Sequence, residues 1–167
     1  IPSFEAFAQE LADRDNVSIS IAASLRGQPI YQAGFGLLTG VGDRRADAET
    51  VYHWGSSTKL VTATALMQLV EQGLVDLDTP ISTYLPYFPD RFGITVQHLL
   101  THTNGLPESP NVIQYISMND AEQLDPADIA RSYVASLTSL NFEPGAEIQY
   151  GNYHFLLLGE IIHEVSG

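Results

Sequence analysis

The sequence predicts a chain of mixed helical and antiparallel β structure in which the two kinds are segregated along its length. Two observations carry this. Val17, Ile19, Ile21, Ala23 and Leu25 alternate with Ser18, Ser20, Ala22 and Ser24, the period of a strand with one buried face. From Ser56 onward, apolar residues instead recur at helical spacing in separate stretches divided by glycine, proline and aspartate.

Taken in order, Ser3 is placed to cap a short helix in which Phe4, Phe7, Ala8 and Leu11 form one apolar stripe. The strand from Val17 follows. Arg26-Gly27-Gln28-Pro29 reads as a turn, and Ile30 to Phe35 as the returning strand of a hairpin. Residues 37–50, rich in Gly, Asp and Arg, read as an exposed loop. A helix starts at Ser56, with Val61, Ala65, Leu66, Leu69 and Val70 on one face and Gly73 to end it. After a turn-rich stretch, Thr95 caps a short helix carrying His98 to His102 and ending near Asn104-Gly105. Asp125-Pro126-Ala127-Asp128 has the capping carboxylate, early proline and first-turn acid of another helix start, with that helix expected to run to about Leu140. Pro144-Gly145 marks a turn, Glu147 to Tyr150 is short and extended, and Tyr153 to Val165 is apolar enough all round for a buried helix. A lone two-stranded hairpin is marginal and expects further strands beside it, yet no other stretch reads as a strand of that sheet.

Composition narrows the function. With 167 residues, 44% hydrophobic and 16% charged, the chain is long enough to bury a core. A net charge of −13 would repel phosphate backbones and anionic headgroups, so nucleic acid is not an expected partner. Apolar runs such as Phe155 to Leu158 fall far short of the ~20 residues of a membrane span. The absence of cysteine excludes disulfides and thiolate metal sites. No basic segment precedes an apolar one as in a signal peptide, and the start at Ile1 predicts a processed protein or a piece of a longer one. Of the seven basic residues six are arginine, which singles out Lys59.

Ser56-Ser57-Thr58-Lys59 sets a serine and that lysine three apart at a helix start, so both side chains share one face. A serine is a weak nucleophile until a neighbour takes its proton, and a lysine with a destabilised ammonium can do so. The helix dipole and the apolar neighbours Trp54, Leu60 and Val61 are expected to push the Lys59 pKa down. The Ser56 backbone N–H, at a helix N-terminus, suits an oxyanion. By itself the motif more often means a helix cap with a solvated lysine. Tyr150-Gly151-Asn152 puts a phenol and an amide on a connector, where a phenolate beside an ammonium can act as general base toward serine and acid toward the leaving group. Its commoner meaning is a packed ring and an asparagine cap. His98 and His102 have the i, i+4 spacing of a helical zinc pair, but Leu99 stands where a metalloprotease has its glutamate, and a structural role is expected. Ser57 has Gly55 before it but Lys59 in place of the second glycine of an α/β-hydrolase elbow, and no glycine-rich phosphate loop is present.

Together these pieces resemble the first half of the serine hydrolases that include class C β-lactamases, D,D-peptidases and β-lactamase-like esterases. The resemblance runs from about Val17 to Gly167. It rests on the hairpin, on Tyr52 to Lys59, on Gln72-Gly73-Leu74-Val75-Asp76-Leu77-Asp78, on Ile94 to Pro107, and on Pro144-Gly145 ahead of Tyr150-Gly151-Asn152. It implies an α+β fold of the β-lactamase/transpeptidase-like kind, an antiparallel sheet with a helical subdomain inserted between its strands. Residues 1–50 would form the helix and hairpin of the sheet subdomain, and 51–167 the helical subdomain with S-x-x-K and Y-x-N. It implies further that Ser56 is the acylated nucleophile, Lys59 its activating partner, Tyr150 the proton shuttle and Asn152 a positioning amide, with no cofactor and no catalytic role for His98 to His102.

The family's third motif, K-T-G or H-x-G on a later strand, has no counterpart: Lys59 is already used, and His53-Trp54-Gly55 runs directly into Ser56. Residues 1–167 are therefore expected to be a fragment, inactive alone, whose remaining strands come from a C-terminal half, a second polypeptide or an exchanged copy. The expected function is acyl transfer to water through an acyl-enzyme, on an ester, a β-lactam or a D-alanyl peptide, the ester slightly preferred. The alternatives are a non-catalytic ligand-binding or interaction protein of the same fold, or a zinc protein using His98 and His102.

Overall fold

The computed structural model describes residues 2–38, 42, 44–108 and 125–167. The chain divides into two compact units, Ile1–Trp54 and Gly55–Gly167.

In the first unit, helix α1 (Pro2–Asp15) precedes strands β1 (Ile19–Leu25) and β2 (Gln28–Phe35), which pair antiparallel with Ile19 opposite Phe35 and a bulge at Ala23/Ser24. The turn between them is two residues long rather than the four expected. Arg26 and Gly27 both have positive φ, 52° and 77°, as the tightest hairpin turns demand, which frees Gln28 and Pro29 to join β2. Helix α1 starts at Pro2, so Ser3 lies inside it and is not its cap. The face of α1 that packs keeps part of the predicted stripe, with Ala8 buried, Leu11 half-buried and the Phe4 ring edge-on to Tyr31, but it leaves out Phe7 and adds Ala12. Ala8 and Ala12 are buried with Phe35 beside Ile19, Ile21 and Ala33, whereas Phe7 is 60% exposed, because small residues let the helix lie close on the hairpin. The alternation of β1 is buried only at this end: Ile19 and Ile21 are half-buried, while Ala23 and Leu25 at the far end are exposed. Gly34 has no room for a side chain, since a Cβ there would meet the backbone of Ala46.

The second unit holds the larger core. Among the described residues its α-helices are α2 (Thr58–Glu71), α3 (Val96–Leu100), α4 (Pro126–Ser136) and α5 (Tyr153–Ser166), with α5 packed against the other three. Leu66, Leu69, Ile81, Leu85, Leu99, Leu106, Val134, Leu157, Leu158 and Ile161 are among the buried side chains of this core. A single Leu of that kind contributes roughly 1.5–3 kcal/mol relative to its exposed state. Helix α2 ends before Gly73, whose φ of 71° suits the left-handed turn out of a helix. Val61 is 56% exposed and lies off the packed face, which is built from Leu66 and Leu69 with Val70 beside them.

Thr95 caps α3 as expected, and the cap is reciprocal: its hydroxyl accepts from the His98 N–H while His98 Nδ1 accepts from the Thr95 N–H. The helix ends at Leu100, so His98 and His102 do not form a helical pair. His102 sits beyond it with φ 60°, turned out of the helical path. Asp125 caps α4 by accepting from the Ala127 N–H. This helix stops at Ser136, four residues short of the expected end. Leu137 turns to extended backbone with its side chain buried in the core, and the Thr138-Ser139 pair that follows has little helical preference. Residues 147–150 belong to no strand or helix and are held by the Gln149 N–H on the His102 carbonyl at 2.9 Å. Helix α5 is enclosed along most of its length as expected: from Tyr153 to Ile162 every residue is buried or half-buried, and only in its last turns do His163 and Glu164 face solvent. Among the described residues no helix is long and apolar enough to cross a membrane. The fold is of the α+β class, with two antiparallel strands and several helices.

Candidate active site

Ser56 stands in a 3-10 turn, Gly55–Ser57, that leads into α2. Gly55 enters this turn at φ 52°, a conformation that costs a residue with a side chain, and the turn swings Ser56 toward the lysine one turn on. Lys59 Nζ lies 3.4 Å from Ser56 Oγ. Ser57 occupies the position before α2 without a side-chain cap bond and has no such partner. At a helix entrance the first backbone N–H groups have no intrahelical acceptor, which makes the start of α2 favourable for negative charge.

The connector ahead of α5 brings in the other wall. Tyr150 Oη and Ser56 Oγ are hydrogen-bonded at 2.5 Å, and Lys59 Nζ donates to Asn152 Oδ1 at 2.8 Å. Lys59 Nζ also lies 4.8 Å from the centre of the Tyr150 ring and 5.6 Å from that of Phe155. The four residues singled out by sequence, 94 positions apart between Ser56 and Tyr150, thus form one hydrogen-bonded cluster. Two details differ from expectation. The apolar residues assigned to Lys59 are not packed over it: Trp54, Leu60 and Val61 are exposed, and aromatic rings from the Tyr150 connector and α5 take that place. Asn152 does occupy the position before α5, but its side chain makes no cap bond and is given over to Lys59.

The electrostatics follow from this arrangement. The adjacent Lys59 ammonium, and after it the Ser56 hydroxyl, hold the Tyr150 phenol below its usual range, against smaller opposing effects of burial and of the Glu108 charge. Such a phenol gives up its proton more readily than a free tyrosine, as a base toward serine requires. His102 lies beside Tyr150, its ring tilted by 40° with the centres 4.7 Å apart, and its pKa is lowered by burial and then by Lys59. A neutral imidazole there avoids adding a second positive charge beside Lys59.

Two residues that sequence reasoning missed support the connector from behind. The Glu108 carboxylate accepts from the Asn152 backbone N–H at 3.1 and 3.2 Å and from its side-chain Nδ2 at 3.3 Å. His154, 1% exposed, is hydrogen-bonded through Nδ1 to His102 Nδ1 at 2.8 Å, and burial first of all drives its pKa to about 4. Glu108 follows Gly105-Leu106-Pro107 directly, so its position in the chain was the only available signal; His154 looked like one more residue of an apolar helix. His98 serves the Thr95 cap and His102 bonds the His154 ring and the Gly151 N–H, and among the described residues no group of three or more His, Asp or Glu is placed to hold a metal ion.

The family model described as Beta-lactamase matches residues 4–167. The chain is 34% identical over 141 residues to the putative penicillin-binding protein PbpX of Bacillus subtilis, covering 84% of this chain and 33% of that protein. It is 28% identical over 173 residues to the esterase EstB of Burkholderia gladioli, covering 96% of this chain and 44% of that protein. Among solved structures, an octameric penicillin-binding protein homologue from Pyrococcus abyssi superposes with a TM-score of 0.81 at 33% identity, covering 99% of this chain and 39% of that one. The chain therefore spans between a third and a half of the length of these relatives. On the agreement of family, relatives and fold, the chain belongs to the β-lactamase family, whose members include penicillin-binding proteins and esterases and are typically serine hydrolases.

Proposed function

We propose that these residues carry the acylating wall of a serine hydrolase. Ser56 attacks the carbonyl carbon of an ester, a β-lactam or a D-alanyl peptide, with the ester slightly preferred. Tyr150, ionised beside the Lys59 ammonium, takes the Ser56 proton and passes it to the departing alcohol or amine, leaving an acyl-enzyme that water resolves. Lys59 holds the phenolate in its charged form and Asn152 seats Lys59. The observation that supports this reading above all is the double use of Tyr150, bonded to the Ser56 hydroxyl and held below its usual pKa by Lys59. A non-catalytic binding protein of the same fold has no need of that arrangement.

One oxyanion donor, the Ser56 N–H, belongs to this wall, and loss of the second donor costs on the order of 10² to 10³ in rate at a comparable site. The second donor and the opposite wall are proposed to come from further strands of the sheet. The test is to treat the full-length protein with a fluorophosphonate and map the label by peptide mass. Label on Ser56, lost in Ser56→Ala, is expected; label on Ser57, or ester hydrolysis retained by Ser56→Ala, overturns the assignment.

A further inference from the structure

We propose that Glu108 is the positioning residue of this site, acting through Asn152 to set where the Lys59 ammonium sits. The inference rests on the serine-hydrolase reading above and adds to it a residue outside the S-x-x-K and Y-x-N motifs.

The argument starts from the ambiguity of an amide. Asn152 carries an acceptor oxygen and a donor nitrogen on one planar group, so the partners on its two sides together decide which way it faces. A lysine ammonium only donates and an ionised carboxylate only accepts. Between these two partners a single orientation satisfies both: Oδ1 toward Lys59 at 2.8 Å and Nδ2 toward Glu108 at 3.3 Å. The carboxylate also grips the Asn152 backbone N–H with both oxygens, so it fixes the main chain as well as the amide. Hydrogen bonds to a charged acceptor are about twice as strong as neutral ones, which suits a group that must hold another in place.

The approach is close as well. Gly151, between Tyr150 and Asn152, has no space for a Cβ: it would stand 2.7 Å from Glu108 Oε2 and 2.5 Å from His154 Nε2. The connector that bears both the phenol and the amide is thus pressed onto a carboxylate and a buried imidazole. Glu108 itself has no bond to Ser56 or Tyr150 among its hydrogen bonds to the described residues, so it touches none of the reacting atoms. Its charge nonetheless reaches Tyr150. The groups that face that phenol are Ser56 and Lys59 from the start of α2, His102 from beyond α3, and Glu108. Of these, Glu108 opposes ionisation of the phenol while Lys59 and Ser56 favour it.

Two consequences separate positioning from mere support. Glu108→Gln keeps the size of the side chain but replaces one acceptor oxygen with a donor and removes the charge, so the Asn152 amide and backbone N–H lose their charged, acceptor-only anchor. Removing the negative charge also lets Tyr150 ionise at lower pH. In the full-length protein, acylation of Ser56 by p-nitrophenyl acetate followed against pH should therefore slow about 10- to 100-fold in Glu108→Gln, with KM within about threefold of wild type. The rise of the rate with pH should move to lower pH. Glu108→Asp, which keeps an acceptor-only charged group, should recover part of the rate and keep the rise at its wild-type position. If Glu108→Gln does not fold, Glu108→Asp decides alone: a rate about three- to tenfold below wild type with an unshifted rise supports the proposal, and a wild-type rate overturns it. Wild-type rate and pH profile in Glu108→Gln likewise overturn it. Failure of wild-type protein to acylate Ser56 would instead sink the hydrolase reading on which the proposal stands.

Discussion

Lys59 Nζ bonds Asn152 Oδ1 at 2.8 Å while standing 3.4 Å from Ser56 Oγ, so the lysine is held more closely by the amide than by the serine it neighbours. The nearer group to Ser56 is the Tyr150 hydroxyl. This ordering supports the proposal that the lysine supplies charge and the tyrosine transfers the proton, and the first prediction separates the two.

Tyr150→Phe keeps the ring beside His102 and removes only the hydroxyl. Acylation should fall by about 10² to 10⁴, the range for a lost general base. Because the proposed base is the ionised phenol, and Lys59 holds that phenol below its usual range, the wild-type rate should rise at a lower pH than that at which a free tyrosine ionises. Lys59→Ala removes the first cause of that depression, so its remaining rate should rise only at higher pH. A Lys59→Ala profile that coincides with wild type would show that Lys59 does not tune the phenol.

Gly151→Ala should destabilise the protein by about 1–3 kcal/mol, the usual cost of overpacking. The added carbon meets the His154 ring and the Glu108 carboxylate, and His154, fully enclosed, cannot swing aside. Urea unfolding measures the loss. An unchanged midpoint would mean that the connector is free to shift.

Stability should decline on acidification because of His154. Burial lowers its pKa from 6.5 to about 4, so between these values the unfolded chain binds a proton that the native state refuses. The stabilisation is fully present above about pH 6.5 and is lost as pH falls toward 4, by roughly 3 kcal/mol if the whole shift counts. His102, also lowered, adds to the same slope. His154→Gln should be less stable at neutral pH but show a shallower decline from pH 6.5 to 4 in urea titrations. An equal slope in the two proteins would assign the acid sensitivity elsewhere.

Short-chain esters should be turned over more readily than cephalosporins. Ester hydrolysis demands only that an activated serine and water reach the carbonyl, whereas β-lactam turnover needs a water placed to resolve a hindered acyl-enzyme. Comparison of kcat/KM for a p-nitrophenyl ester and a chromogenic cephalosporin on one preparation measures the ranking, and a clear advantage for the cephalosporin reverses it.

Local order was legible without coordinates wherever one residue type has one backbone use. Gly73 ends α2, Thr95 caps α3, and Asp125-Pro126 opens α4, each because the bond or the dihedral involved lies within a few residues. Helix ends without such a signal were not legible. Helix α4 stops at Ser136 because Leu137 turns into a core assembled from distant segments, and α1 packs through Ala8 and Ala12 rather than Phe7 because the hairpin rewards close approach.

For the candidate site, the residue types and their spacing by themselves determined that a serine and the only lysine share a helix entrance, and that a phenol and an amide sit on a connector. Three residues along a helix bring two side chains together whatever the rest of the chain does. Only the tertiary structure decided that Tyr150 meets Ser56 across 94 positions, that the Asn152 side chain serves Lys59 rather than capping α5, and that Glu108 and His154 stand behind them. Contacts of that separation depend on how α5 packs against α2 and α3, and packing is settled by the buried surface of the whole core rather than by any local run of residues.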